Sequence, residues 1–110
     1  MKYRNTLRKG SLRCLVFRED DTWYAAGLEF NIVESGDTPQ EALLMLLEAA
    51  RGYMESAQKI KARPAVLNQK TDPEYEERWR NAGERKADPG VFFAGVFNIS
   101  QLAGREPTPA

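Results

Sequence analysis

A chain of 110 residues, 42% hydrophobic and 29% charged, has the size and composition of one globular domain with a single modest core. It contains no histidine, which removes the commonest general base, the usual Ser-His and Cys-His pairs and most catalytic zinc sites. No apolar run approaches the roughly 20 residues of a membrane helix. The basic start MKYRNTLRKGSLR leads into no signal-peptide core, so the cytoplasm is the default expectation. Cys14 is the single cysteine, excludes an intrachain disulfide framework, and reads as a small apolar core residue.

Sixteen basic and sixteen acidic residues cancel, but unevenly along the chain. Residues 1–13 carry +5, residues 14–58 carry −7, and residues 59–110 carry +2. The acidic middle repels phosphate backbones and attracts a basic partner; a solvated face is the plainer reading of the same charge.

In chain order, residues 1–11 form a basic arm, expected to be a flexible terminus or, alternatively, a contact for RNA or an acidic surface. Leu12 to Arg18 is rich in β-formers and reads as a strand, ending at the hairpin loop Glu19-Asp20-Asp21-Thr22. Trp23 to Phe30 resumes as a second strand, with Trp23 and Glu29 on one face and Tyr24 on the other. After a bend near Glu29 to Asn31, a third strand runs to Glu34. Gly36-Asp37 breaks it. Thr38 then caps a helix, Pro39 suits its first position, and Glu41 completes a capping box.

Ala42, Leu43, Leu46, Leu47, Ala50, Tyr53, Met54 and Ala57 form one apolar stripe, so the helix extends to Gln58 or Lys59. Gly52 is its weak point and a candidate for close packing. Residues 60–71 read as a loop. Asp72-Pro73-Glu74 opens a shorter helix to Lys86, with Tyr75, Trp79 and Ala82 on one side. Asp88-Pro89-Gly90 is a turn, and Val91 to Ile99 is a final strand with apolar groups on both faces.

The expected fold is therefore α+β, in two layers: a three-stranded antiparallel meander, a long helix, an inserted shorter helix and a final strand (β-β-β-α-α-β), with the helices on one face of the sheet. Residues 12–103 make one domain, and 104–110 a disordered tail. Two apolar faces on the last strand call for cover from the second helix or from another subunit, so a homo-oligomer, dimer or higher, is expected through that strand or an apolar sheet face.

The run WYAAGLEFNIVESGDTPQEALLMLLEAARGYMESA resembles the HicB-like family of toxin–antitoxin partners. The matching residues are Asp20-Asp21 in the turn, Trp23-Tyr24-Ala25-Ala26, Leu28-Glu29, Ser35-Gly36-Asp37-Thr38, Glu41-Ala42-Leu43, Leu46-Leu47-Glu48-Ala49 and Tyr53. With the first strand the resemblance covers residues 12–58. It implies a partial RNase H-like fold that binds and masks a small basic RNA-cleaving toxin, an antitoxin and not an enzyme, with no cofactor. Residues 60–90 add a helix that many relatives lack. The eleven residues after Ile99 are too few for the family's DNA-binding motif, so operator binding is not expected.

A metal nuclease would need clustered carboxylates, one of them mid-strand. The first strand offers none, Asp20 and Asp21 sit in a turn, and Glu48 has no strand partner. If the partner is basic, Glu19, Asp20, Asp21, Glu29 and Glu34 steer it and Trp23 and Tyr24 supply anchoring area. The alternative function is an orphan self-assembling structural or regulatory domain without a toxin.

Overall fold

The computed structural model describes residues 4–83 and 90–102. In order, these form β1 (Ser11–Glu19), β2 (Thr22–Gly27), β3 (Ile32–Gly36), α1 (Pro39–Lys59), a 3-10 turn (Pro64–Leu67), α2 (Pro73–Gly83), β4 (Val91–Asn98) and a terminal turn of helix, α3 (Ile99–Leu102). The expected β-β-β-α-α-β order and the antiparallel meander are both present. The four strands make one sheet in the order β3-β2-β1-β4, with every neighbouring pair antiparallel. Among the described residues no helix is long and apolar enough to cross a membrane. The expected tail at 104–110, the end of the second helix and most of the Asp88-Pro89-Gly90 turn lie outside the described residues.

The layering differs from the expectation. Successive residues of β1 point to opposite faces, and Leu12, Cys14 and Val16 pack into one core with Ala42, Leu46, Ala50 and Met54 of α1. Leu15 and Phe17 point the other way, into a second core with Ala26, Leu28, Tyr75 and Trp79. The helices therefore cover opposite faces, giving three layers in place of two. The cause lies in β1 itself, whose residues 14–17 are all buried and need apolar cover on both sides.

The helix start follows the expected chemistry. Thr38 is the N-cap and its hydroxyl accepts from Glu41 N at 3.0 Å. Glu41 reaches back to the backbone N–H of Asp37 at 2.8 Å, one residue earlier than a standard capping box. Tyr53 is fixed at the far end, its hydroxyl donating to Val66 O at 2.7 Å and its ring 5.0 Å from that of Phe30. Gly52 faces open space, with nothing within 4 Å of a Cβ placed there, so close packing does not explain it.

Two further expectations are corrected. Residues 4–10 are not a loose arm. Asn5 is fully buried, and it exchanges hydrogen bonds with Asn68, Leu67 O and Ser11 N at 2.8–2.9 Å. Gly10 adopts φ +125° where the Asn5 side chain occupies the space a Cβ would need. The second strand ends at Gly27 rather than Phe30, because residues 28–31 turn, with Asn31 at φ +56°.

Candidate functional site

The β1–β2 hairpin closes through two residues, Asp20 and Asp21, with Glu19 opposite Thr22. Asp20 takes φ +55°, a conformation that aspartate tolerates better than most residues. Arg18 Nε donates to Asp20 O at 2.8 Å, and its Nη2 lies 3.4 Å from Asp21 Oδ1. That contact is loose, and the Asp21 side chain is as exposed as in an extended chain, at 101%. Both carboxylates thus project from the tip of the sheet into solvent.

Trp23 follows on the α1 face, half-buried against the first core. Its indole meets the Phe92 ring edge-to-face, at 5.8 Å between centroids and 76° between planes. A bulge places Phe92 there. The β1–β4 register pairs Val16 with Phe93 but Phe17 with Val91, so Phe92 is an extra residue on β4. It remains 52% exposed. Glu34 on β3 sits opposite Ala25, diagonal to Trp23 on the same face, and is half-buried. Asp20, Asp21, Trp23 and Glu34 are therefore gathered at one end of the sheet, with Phe92 added to them. Sequence reasoning placed Phe92 in a regular strand, and no signal in Val91-Phe92-Phe93 marks the bulge.

The other three expected partner residues are engaged within the fold. Tyr24 points to the opposite face from Trp23 and stacks on Phe17 at 5.7 Å. The two aromatics cannot anchor one flat surface. Glu19 accepts from Arg78 Nη2 at 2.7 Å, and that guanidinium lies 4.4 Å over the Phe17 ring. Glu29 is 8% exposed and accepts from both the backbone N–H and the Nε of Arg13. The turn at residues 28–31 takes it off the Trp23 face that strand alternation gave it and brings it to Arg13 on the α2 side.

Arg13 completes this partly buried network with a two-pronged contact to Glu76, Nη1 to Oε1 at 2.8 Å and Nη2 to Oε2 at 2.7 Å. Its guanidinium also lies 5.7 Å from the Trp79 ring centroid. Hydrogen bonding from Arg13 holds the Glu76 carboxyl below the usual carboxylate range, and the two carboxylates raise Arg13 further. The network joins β1, the β2–β3 turn and α2. An adjoining cleft of about 450 Å³, lined by Arg13, Lys70, Thr71, Glu76 and Arg80 among others, looks cationic, but the Arg13 guanidinium already faces carboxylates on every nitrogen. Burial pushes the Cys14 thiol up to about 12, which suits a core residue and not a nucleophile.

Among the described residues no three His, Cys, Asp or Glu side chains converge to hold a metal ion. Glu48 is exposed on α1, away from the sheet. At the hairpin end, two exposed carboxylates stand near a half-open aromatic pair. No family model, curated protein or solved structure matches this chain.

Proposed function

We propose that this chain is a protein-binding domain of the HicB-like antitoxin type, whose hairpin end docks a small basic partner, an RNA-cleaving toxin. One observation carries the reading: exposed Asp20 and Asp21 stand beside the Trp23–Phe92 pair, so electrostatic steering and an aromatic anchor meet at one place. Long-range charge attraction accelerates encounter, and desolvating a large ring supplies the short-range energy. The β-β-β-α core and the Gly36-Asp37-Thr38 helix start agree with the resemblance.

The test is a binding titration with the product of the adjacent open reading frame, at several salt concentrations. Reversing both aspartates (Asp20→Lys with Asp21→Lys) is expected to slow association about tenfold or more and flatten its salt dependence. Phe92→Ala, at a half-exposed position, is expected to speed dissociation with little change in association. Unchanged rates in both variants would refute the docking surface.

A self-assembling domain without a toxin is the second reading. It is favoured by β4, an uncharged strand at the edge of the sheet with Phe92 and Val96 more than half exposed.

A further inference from the structure

The two edges of the sheet are built differently. β3 is five residues long and carries Glu34, the kind of short, charged edge that discourages strand addition. β4 is eight residues long, VFFAGVFN, with no charge and no proline. Such an edge is a template for another strand unless something covers it, and among the described residues no strand lies beyond it.

The hydrogen-bonding direction along β4 follows from one contact. Ile99 N donates to Gly10 O at 2.9 Å, so in an antiparallel ladder Phe97, Gly95 and Phe93 turn their backbone groups towards β1. Ala94 and Val96, between them, turn theirs outward. The side chains of both are exposed as well, on the α2 face.

We infer that β4 pairs antiparallel with β4 of a second copy of this chain, about a two-fold axis passing Gly95, to give a continuous eight-stranded sheet. In this register Ala94 and Val96 of one copy exchange N–H and C=O groups with Val96 and Ala94 of the other. Phe93 lies opposite Phe97 on the α1 face, and Phe92 opposite Asn98. Gly95 meets Gly95 at a narrow non-hydrogen-bonded pair, where Cα atoms approach to about 4.5 Å.

Two observations favour this occupant over an unrelated strand. First, the strand is complementary to its own reverse, with small residues at the centre, aromatics on one face, and no charge to be set against its copy. Secondly, the Phe93 ring already lies over Gly95, in the space a Cβ there would need, and within 6.3 Å of the Phe97 ring. The two-fold then assembles four phenylalanine rings over a pair of glycines. Phe93 and Phe97 are only half-buried in one copy, since α1 packs mainly across β2 and β3. This inference rests on the self-assembly reading and needs no toxin, so it stands or falls separately from the hairpin-end docking.

The experiment combines sedimentation velocity with amide hydrogen exchange on the full chain. The parent is expected to sediment with twice the 12.5 kDa chain mass at high concentration, and the Ala94 and Val96 amides to gain protection as concentration rises. Val96→Lys sets two like charges against the paired strand, and Ala94→Pro removes an outward N–H while sparing those bonded to β1. Both are expected to sediment as single chains with unchanged circular dichroism. Val33→Lys, on the opposite edge strand, is expected to remain a dimer. A parent that stays a single chain, a Val96→Lys variant that stays paired, or protection that ignores concentration would each overturn the proposal. If Ala94→Pro fails to fold, Val96→Lys and the exchange data decide alone.

Discussion

Removing the Arg13 side chain tests the idea that Glu29 belongs to the architecture and not to a binding surface. In Arg13→Ala the Glu29 carboxylate, 8% exposed, keeps the backbone N–H of residue 13 and loses its charged partner. Stranding a buried charge costs 3–5 kcal/mol in a fully enclosed site. Arg13 is itself 22% exposed, so water enters the vacated space and reduces this to about 2 kcal/mol. Loss of the guanidinium and its stem against Trp79 adds up to about 1 kcal/mol. The total, about 3 kcal/mol, is a large share of the stability of a small domain.

Urea unfolding followed by circular dichroism measures it as a fall in the midpoint at constant slope. The same data collected against pH add a sign. The folded Glu76 carboxyl is depressed by Arg13, so its stabilisation is present above the unfolded value of about 4.3 and lost as pH falls through the lower folded value. Arg13→Ala removes that depression and gives a flatter acid limb. The pair replacement Arg13→Met with Glu29→Leu is expected to cost less than Arg13→Ala alone, since the remaining carboxylate, Glu76, is 37% exposed and no buried charge is left stranded. A loss under about 0.5 kcal/mol for Arg13→Ala, the range of ordinary surface changes, would refute the reasoning.

Gly52→Ala should stabilise by about 0.8 kcal/mol, because the position is helical and open, and raise Tm by about 4 °C in a thermal melt. Thr38→Ala should cost about 1 kcal/mol in urea unfolding by removing the bond to Glu41 N. Asn5→Ala should cost about 2 kcal/mol, since it leaves the Leu67 carbonyl and the Ser11 amide without their Asn5 partner in a partly buried site. Cys14 should resist alkylation at neutral pH until the chain unfolds, and labelling should track the urea transition.

The strongest sequence signals were those in which one residue type has one structural use. Thr38-Pro39 with Glu41 marked the start of α1, and the stripe from Ala42 to Ala57 marked its buried side. Side chains on the same strand proved harder, because alternation gives a face without saying what covers it. In β1 the residues Cys14 to Phe17 are buried on both sides, and that is what requires a third layer. Glu29 was misplaced for a local reason: Asn31 in the left-handed region ends the strand early and rotates the preceding residues. The Asn5 anchor had no sequence signal, since two of its partners, Leu67 and Asn68, lie more than 60 positions away. At the candidate site, the turn acids and Trp23 were legible, whereas Phe92 depends on a bulge that only the register reveals.

The position of β1 between β2 and β4 has a consequence for the nascent chain. Its first neighbour follows within a few residues, but Leu12 meets Phe97 only after the whole of α1 and α2 has been made. Until then, β1 presents an unpaired margin and the incomplete sheet is exposed to wrong pairing. Closure of that margin is a late event of high sequence separation. Truncations that stop before Val91 should therefore aggregate, and chains released slowly from the ribosome should depend on chaperones for longer than the modest length of this domain suggests.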